Sequence, residues 1–385
     1  MKALVLGITD PWQDRISAAQ LYPFVYYRRS LHRHLGLSLR ILNTETLTEI
    51  HYATQQHPDA DIFFIRPTWH EDPDQVQQFA ANLRGQHPHQ KIILIDPFDQ
   101  TSSRFFGTLP FVDALVKYQC LKDVTKYRQP FIGGTMLTDY LVKRYGYDLE
   151  GWFVGSEVPP GYEQRIVAGW NLGLDSRWIR RLHIAQLTRL LPQPRKTIDI
   201  FCRMSLGSLH QQEWYGQYRL AATEALTPLA ADYQLAISGR FQDAGLISRQ
   251  QYDQELKSSR IVFSPFGWGE ITWRDFEAAC SGALLIKPSV AHVETYPNLY
   301  IPGETYVPVT WDFVDVEEKC RYYLTHPTEA QRIAHNARQA YWNYLKQGEF
   351  VQAIARLIHS NPAKVECDRP PLSRQTPPPN GLLIP

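Results

Sequence analysis

Short, nearly continuous apolar runs alternate along this chain with longer polar segments of helical length, and the alternation occurs twice. In the first half the runs are ALVLGI (3 to 8), LSLRIL (37 to 42), ADIFFIRP (60 to 67), KIILIDP (91 to 97) and DALVKY (113 to 118). In the second half they are TIDIFCR (197 to 203), YQLAISG (233 to 239), RIVFSPF (260 to 266), ALLIKPS (283 to 289) and TYVPVTW (305 to 311). Helical segments are expected at about 209 to 227, 248 to 259, 272 to 281, 314 to 325 and 328 to 346. A strand that is apolar throughout must be covered on both faces, and this is the condition of a parallel sheet between helix layers. The sequence therefore predicts an α/β protein of two Rossmann-like domains whose parallel sheets face across a cleft.

Length agrees, because 385 residues exceed what one hydrophobic core ordinarily serves. The two prolines of LPQPRK (191 to 196) stop the preceding helix and mark a boundary near residue 192. The expected units are residues 1–191, residues 192–348, and a final piece, 349–385, made of a helix and a proline-rich tail without periodicity.

Net charge is +1, so no overall field draws the chain to nucleic acid, and a nucleic-acid partner is not expected. The five cysteines are scattered, odd in number and form no CxxC pair, which fits a reducing cytoplasm better than a disulfide framework or a zinc site. MKALVLGITD is too short an apolar stretch for a signal peptide and reads as a first strand. No run approaches the ~20 apolar residues of a membrane span, which leaves only peripheral membrane contact open. The basic segment 177–196 mixes its arginines with Trp178, Ile179, Leu182 and Leu190, and Arg189 falls on the Trp178 side of a helical wheel. A membrane-lying helix separates its faces better, so an interdomain or partner-facing helix is the expectation.

The stretch FSPFGWGEITWRDFEAACSG (263 to 282) leaves a strand, turns through two glycines and enters a helix. In open parallel sheets, ligands lie outside the carboxyl ends of the strands, where helix N-termini present free N–H groups. Gly267 and Gly269 allow close backbone approach to such a ligand, Thr272 can cap the helix, and Trp273, Phe276 and Cys280 have helical spacing for packing on the sheet. Arg274 and Glu277, at i and i+3, share a side: a guanidinium suits a phosphate, and a carboxylate suits a ribose diol. The same spacing also describes an ordinary surface ion pair.

The pattern P-x-G-x(4)-T-x-R-x-x-E-A-x-x-x-G, present as Pro265, Gly267, Thr272, Arg274, Glu277, Ala278 and Gly282, resembles the donor-site signature of exostosin-like glycosyltransferases of the GT-B fold. ALLIKPS and EKCRYYLTHPTEAQRIAHNARQAY resemble the strand and paired helices that follow it in such enzymes, and the likeness spans roughly residues 197 to 345. The resemblance implies a nucleotide-sugar donor against the C-terminal domain and a glycan, lipid-linked or small-molecule acceptor entering from the N-terminal one. Arg274 would contact the diphosphate, Glu277 the ribose, and the Gly267–Gly269 turn would border the phosphates, with no cofactor beyond the nucleotide co-substrate. Retaining GT-B enzymes often place seven residues between two glutamates, whereas Glu270 and Glu277 have six between them, so the stereochemistry is left open. Glu270 remains a candidate near the donor sugar.

Arg203 and Arg240 end strands on the same edge and could add positive charge, or could pair with nearby carboxylates. Asp96, His70 and Asp10 follow first-half strands and are the candidates for a catalytic base, each also readable as a loop residue or cap. Asp59 and Asp61 spell DxD but precede a strand, where they read as a turn, and the 13 histidines show no HExxH, so no metal is expected. Among the aromatic residues, Trp268, between two glycines, is the expected ligand contact. A nucleotide-sugar epimerase of the same fold and an inactive transferase-like binding subunit are the alternative functions.

Overall fold

The computed structural model describes residues 1–188, 195–206, 214–238 and 247–359. The first half lays down β1 (Lys2–Gly7), β2 (Ser38–Asn43), β3 (Ile62–Ile65), β4 (Lys91–Ile95), β5 (Ala114–Lys117), the two-residue β6 (Cys120–Leu121) and β7 (Ile166–Ala168). All but β6 join one parallel sheet, in the order β2-β1-β3-β4-β5-β7. The second half supplies β8 (Ile198–Cys202), β9 (Leu235–Ile237), β10 (Ser259–Phe263), β11 (Leu284–Pro288), β12 (Val293–Glu294) and β13 (Val307–Val309). Its parallel sheet runs β13-β11-β10-β8-β9. This is a two-sheet, parallel α/β architecture, and each of the ten apolar runs holds the body of one strand.

Alternate residues of the first sheet serve different cores, as the period of two requires. Leu4, Leu6, Phe63, Ile65 and Leu94 pack on one face, while Val5, Phe64 and Ile93 belong to a core that runs on into the second half. A strand pair and a returning helix help to join the halves. β6 and β12 pair antiparallel across them, with Leu121 opposite Val293. Helix Glu349–His359 then carries the chain from the second unit back to the first, where the Phe350 ring meets Phe24, Tyr27 and Trp170 at centroid distances of 5.1, 5.5 and 4.9 Å.

The basic segment forms helix Ser176–Leu187, with Trp178, Ile179 and Leu182 buried. Arg177 and Arg181 lie over the Trp178 ring at 4.9 and 5.1 Å. Helix Trp273–Ser281 packs beside it: the Trp273 and Trp178 rings lie 6.1 Å apart, so the segment is an interdomain helix. Among the described residues no helix is long and apolar enough to cross a membrane. The boundary near 192, Arg189, Arg240 and the proline-rich tail lie outside the described residues.

Both aspartates of the DxD sequence anchor the first strand. Asp59 pairs with Lys2 Nζ at 2.6 Å, and Asp61 accepts the Lys2 backbone N–H at 2.7 Å.

Candidate active site

Residues just past the carboxyl ends of β4 and β5 meet the turn between β10 and helix Trp273–Ser281. The order of the second sheet reverses between β8 and β10, because β9 lies to one side of β8 while β10, β11 and β13 lie to the other. This switch point opens the crevice where an open sheet takes a ligand. Arg274 occupies it. Only 8% of its surface is exposed, and its Nε donates to the backbone oxygen of Arg203, just past β8, at 3.1 Å. Its Nη1 is buried with no hydrogen-bond partner among the described residues.

Arg219, on helix Trp214–Glu224, reaches the same crevice. Its Nη1 donates to Ser205 O at 2.8 Å and its Nε to Phe266 O at 3.3 Å, and its guanidinium lies 5.2 Å from the Tyr215 ring centre. Burial, reinforced by the neighbouring Arg274 charge, pushes its pKa down to about 10. Arg203, by contrast, is paired: its Nε and Nη2 donate to the Glu255 carboxylate at 2.8 and 3.1 Å. Arg203 therefore lends the crevice its carbonyl, and the positive charge comes from Arg219 and Arg274.

The glycines of the turn lie against neighbouring groups of the protein. The space a side-chain carbon would occupy at Gly267 is filled by the Arg219 guanidinium, and at Gly269 by the backbone carbonyl of Asp99 from the first unit. The turn thus needs its backbone freedom to admit a cation on one side and the opposite domain on the other. Gln100 Nε2 donates to Trp268 O at 3.0 Å, and Gln119 Nε2 donates to Glu270 Oε2 at 3.1 Å, which clasps the turn further.

Thr272 has the extended backbone of a helix N-cap, and Asp275 completes the cap by accepting from the Thr272 N–H at 3.3 Å. Asp275 also accepts from Ser264 Oγ at 2.7 Å, Lys287 Nζ at 2.5 Å and Tyr300 OH at 2.9 Å, a buried cluster that fixes where the helix starts. Trp273, Phe276 and Cys280 also meet the helices around them. Trp273 and Cys280 meet Trp178, and Phe276 meets Tyr341 with ring centres 5.5 Å apart, because neighbouring helices cover this one.

Glu277, one turn on from Arg274, is 4% exposed. Its Oε2 accepts from Tyr252 OH at 2.5 Å, while Arg249 Nη2 stands 3.7 Å from Oε1. Burial raises its pKa against the opposing pull of Tyr252 and the arginines. Trp268 is 37% exposed within an aromatic group drawn from both units, its ring centre 4.7 Å from Tyr215 and 5.7 Å from Trp152.

The first-half candidates fare unevenly. Asp96 is fully buried, ion-paired with Lys117, and accepts from Ser103 Oγ at 2.5 Å and the Phe98 N–H at 3.3 Å. With both oxygens engaged inside the domain, it is a structural group and not a base open to a substrate hydroxyl. His70 is exposed and lies against Trp69, with ring centres 3.5 Å apart, and Asp10 accepts the Trp12 N–H at 2.9 Å in a turn. Glu270 is buried and held by Gln119 and by His292 Nε2 at 3.2 Å.

Asp99, three residues past Asp96, meets the Gly267–Gly269 turn through its backbone carbonyl and carries its carboxylate on the same loop. It accepts from Tyr118 OH at 2.8 Å, and burial raises its pKa, with Tyr118, Arg66 and Lys117 opposing. Sequence reasoning reached neither Asp99 nor Arg219. LIDPFD did carry a second aspartate beyond the strand, whereas YGQYRLAATE offers no signal for a ligand-facing arginine.

Residues 217–354 match a family model described as glycosyl transferase-like, which takes in Arg219, the glycine turn, Arg274 and Glu277. Among solved structures, a protein of Anabaena, HepE, in complex with UDP and glucose has 11% identity and a TM-score of 0.49, covering 94% of this chain and 100% of that one. A glycosyltransferase of Rickettsia africae has 12% identity and a TM-score of 0.48, covering 94% and 99%. An alpha-glucosyltransferase in complex with UDP has 8% identity and a TM-score of 0.49, covering 91% and 100%. No curated protein matches the sequence.

Proposed function

We propose that the chain is a glycosyltransferase that moves a sugar from a nucleoside-diphosphate sugar to a glycan, lipid-linked or small-molecule acceptor, with an exostosin-type donor site. The observation that carries this reading is the pair of guanidiniums, Arg219 and Arg274, at the switch point of the second sheet, with a buried polar nitrogen of Arg274 left without a partner among the described residues. Two cations side by side, one buried and one half-buried, cost the free protein stability, and an anion restores the balance. A diphosphate fits, because its charge grows as the glycosidic bond breaks and preorganised donors in a dry site then act most strongly.

In this reading Arg274 and Arg219 hold the leaving diphosphate and Glu277 takes the ribose hydroxyls, where the nucleotide's diol shares its carboxylate with Tyr252 OH. Glu270, near the donor sugar, is kept in place by Gln119 and His292. Asp99 faces the turn from the acceptor side, and its raised pKa suits a group that receives a proton from an acceptor hydroxyl. The first unit is the acceptor side and the second the donor side. The nucleotide sugar is a co-substrate, so no resident cofactor is invoked. Cytoplasmic placement accords with Cys120, Cys202, Cys280 and Cys320, which are all free thiols.

The test is a thermal-shift screen with uridine, guanosine, adenosine and thymidine diphosphates. One of them raises the melting temperature of the native chain, and Arg274→Gln reduces the shift at the same nucleotide concentration. Absence of a shift with all four rules out the donor site described here.

A further inference from the structure

Between β5 and β7 the first unit makes a long excursion, and a cavity of about 700 Å³ lies within it, bounded also by the loop that follows β4. This volume is within the roughly 300–1,000 Å³ of sites that enclose drug-sized ligands, so it has room for more than a single sugar ring. Its walls combine the rings of Tyr127, Phe131 and Phe153 with Thr101, Ser102 and the ammonium-bearing Lys126. Thr101 is wholly buried, and its hydroxyl has no hydrogen-bond partner among the described residues. Phe153 is 56% exposed, an unusual state for so large an apolar ring.

Two of the cavity's walls lead directly to the glycine turn. Thr101 follows Gln100, whose amide donates to Trp268 O, and Phe153 follows Trp152, whose ring packs on Trp268. The cavity wall thus lies one residue away along the chain from two of the contacts that hold the turn bordering the proposed donor.

We propose that this cavity is an oligosaccharide subsite, holding the sugar residues of the acceptor that lie beyond the one being modified. The inference rests on the transferase reading given above. Ring faces offer the apolar side of a pyranose a surface to lie on, while the half-buried Lys126 offers hydrogen bonds to its rim. An acceptor of one sugar would leave the cavity empty, so the site selects for chain length.

A printed glycan array, followed by calorimetric titration of the best oligosaccharide and its constituent monosaccharide, tests this on the full chain. Two variants accompany the wild type: Phe153→Ala, which removes a ring face, and Glu157→Trp, which crowds the mouth from an exposed position. The expected result is that the oligosaccharide binds at least about tenfold more tightly than the monosaccharide, and that each variant erases that advantage. The nucleoside-diphosphate thermal shift should remain unchanged in both variants. Failure of the nucleotide shift in the wild type would count against the donor site alone. No glycan retained on the array, equal affinity for both sugars, or wild-type binding by both variants would overturn the cavity assignment.

Discussion

Gly269 of the second unit lies against the backbone carbonyl of Asp99 in the first, with no space between them for a side-chain carbon. The opposing group is backbone and cannot swing aside, so Gly269→Ala must push the two units apart or distort the turn. Overpacking of this kind costs about 1–3 kcal/mol. The expected outcome is a lowered melting temperature together with a lowered kcat, since Asp99 and Glu270 move with the displaced contact. Unchanged transfer rates in a folded Gly269→Ala protein would mean that the domain contact does not align the reacting groups.

Arg274→Gln is expected to separate binding from stability. It should weaken nucleoside-diphosphate binding by about 1.5–3 kcal/mol, the range for hydrogen bonds to charged groups, which is roughly ten- to a hundredfold in Kd. Without ligand, the same change removes a buried cation that depresses the Arg219 pKa, so the melting temperature should stay level or rise. Titration calorimetry and calorimetric melting on one preparation check both arms.

The strands were legible because a parallel sheet writes itself as uninterrupted apolar runs, and ALVLGI through TYVPVTW each needed only local reading. β7, three residues on the sheet's edge, is too short to read as a run, and β6 and β12 were not legible, since two residues apiece pair only because the domains bring them together. At the site, Thr272, Arg274 and Glu277 lie on one helix and their relation follows from its period. Arg219 and Asp99 reach the same turn from a different helix and a different domain, and no local spacing encodes that meeting. The glycines show the same limit in another way: the sequence revealed the freedom of Gly267 and Gly269, while what fills the space came from Arg219 and Asp99.

Glu277 gives nucleotide binding and stability opposite responses to pH. Burial raises its folded pKa above the ordinary 4.5, so between 4.5 and that raised value the folded chain holds more protons than the unfolded one. Its effect on stability therefore becomes more favourable as pH falls through this window and is lost as pH rises through the folded pKa. The ribose hydroxyls need the carboxylate, so nucleotide affinity falls over the same descent. Glu277→Gln should flatten both curves, which melting and titration between pH 7 and pH 4.5 would show.

Phe350 ties the last described helix to the first unit. Replacing a buried phenylalanine by alanine costs about 3–5 kcal/mol, and here the lost contacts are the rings of Phe24, Tyr27 and Trp170. Phe350→Ala should lower the melting temperature and increase proteolysis near residue 349, while the nucleoside-diphosphate Kd at low temperature stays near wild type, because the crevice at Arg274 lies in the second sheet.

Asp99→Asn preserves the shape of the loop and the carbonyl that meets Gly269 while removing the group proposed to receive the acceptor's proton. Its raised pKa, due first to burial, also means that the free acid gains population at a higher pH than an ordinary aspartate would allow. The transfer rate should therefore fall on the acid side of the profile in the wild type, and that limb should vanish in Asp99→Asn. Loss of a positioned base lowers kcat by about 10²–10⁴-fold, and nucleoside-diphosphate binding should change little because the donor's arginines are untouched. A kcat near wild type in Asp99→Asn, with normal nucleotide binding, would show that the acceptor proton leaves by another route and that the carboxylate serves only to seat the turn.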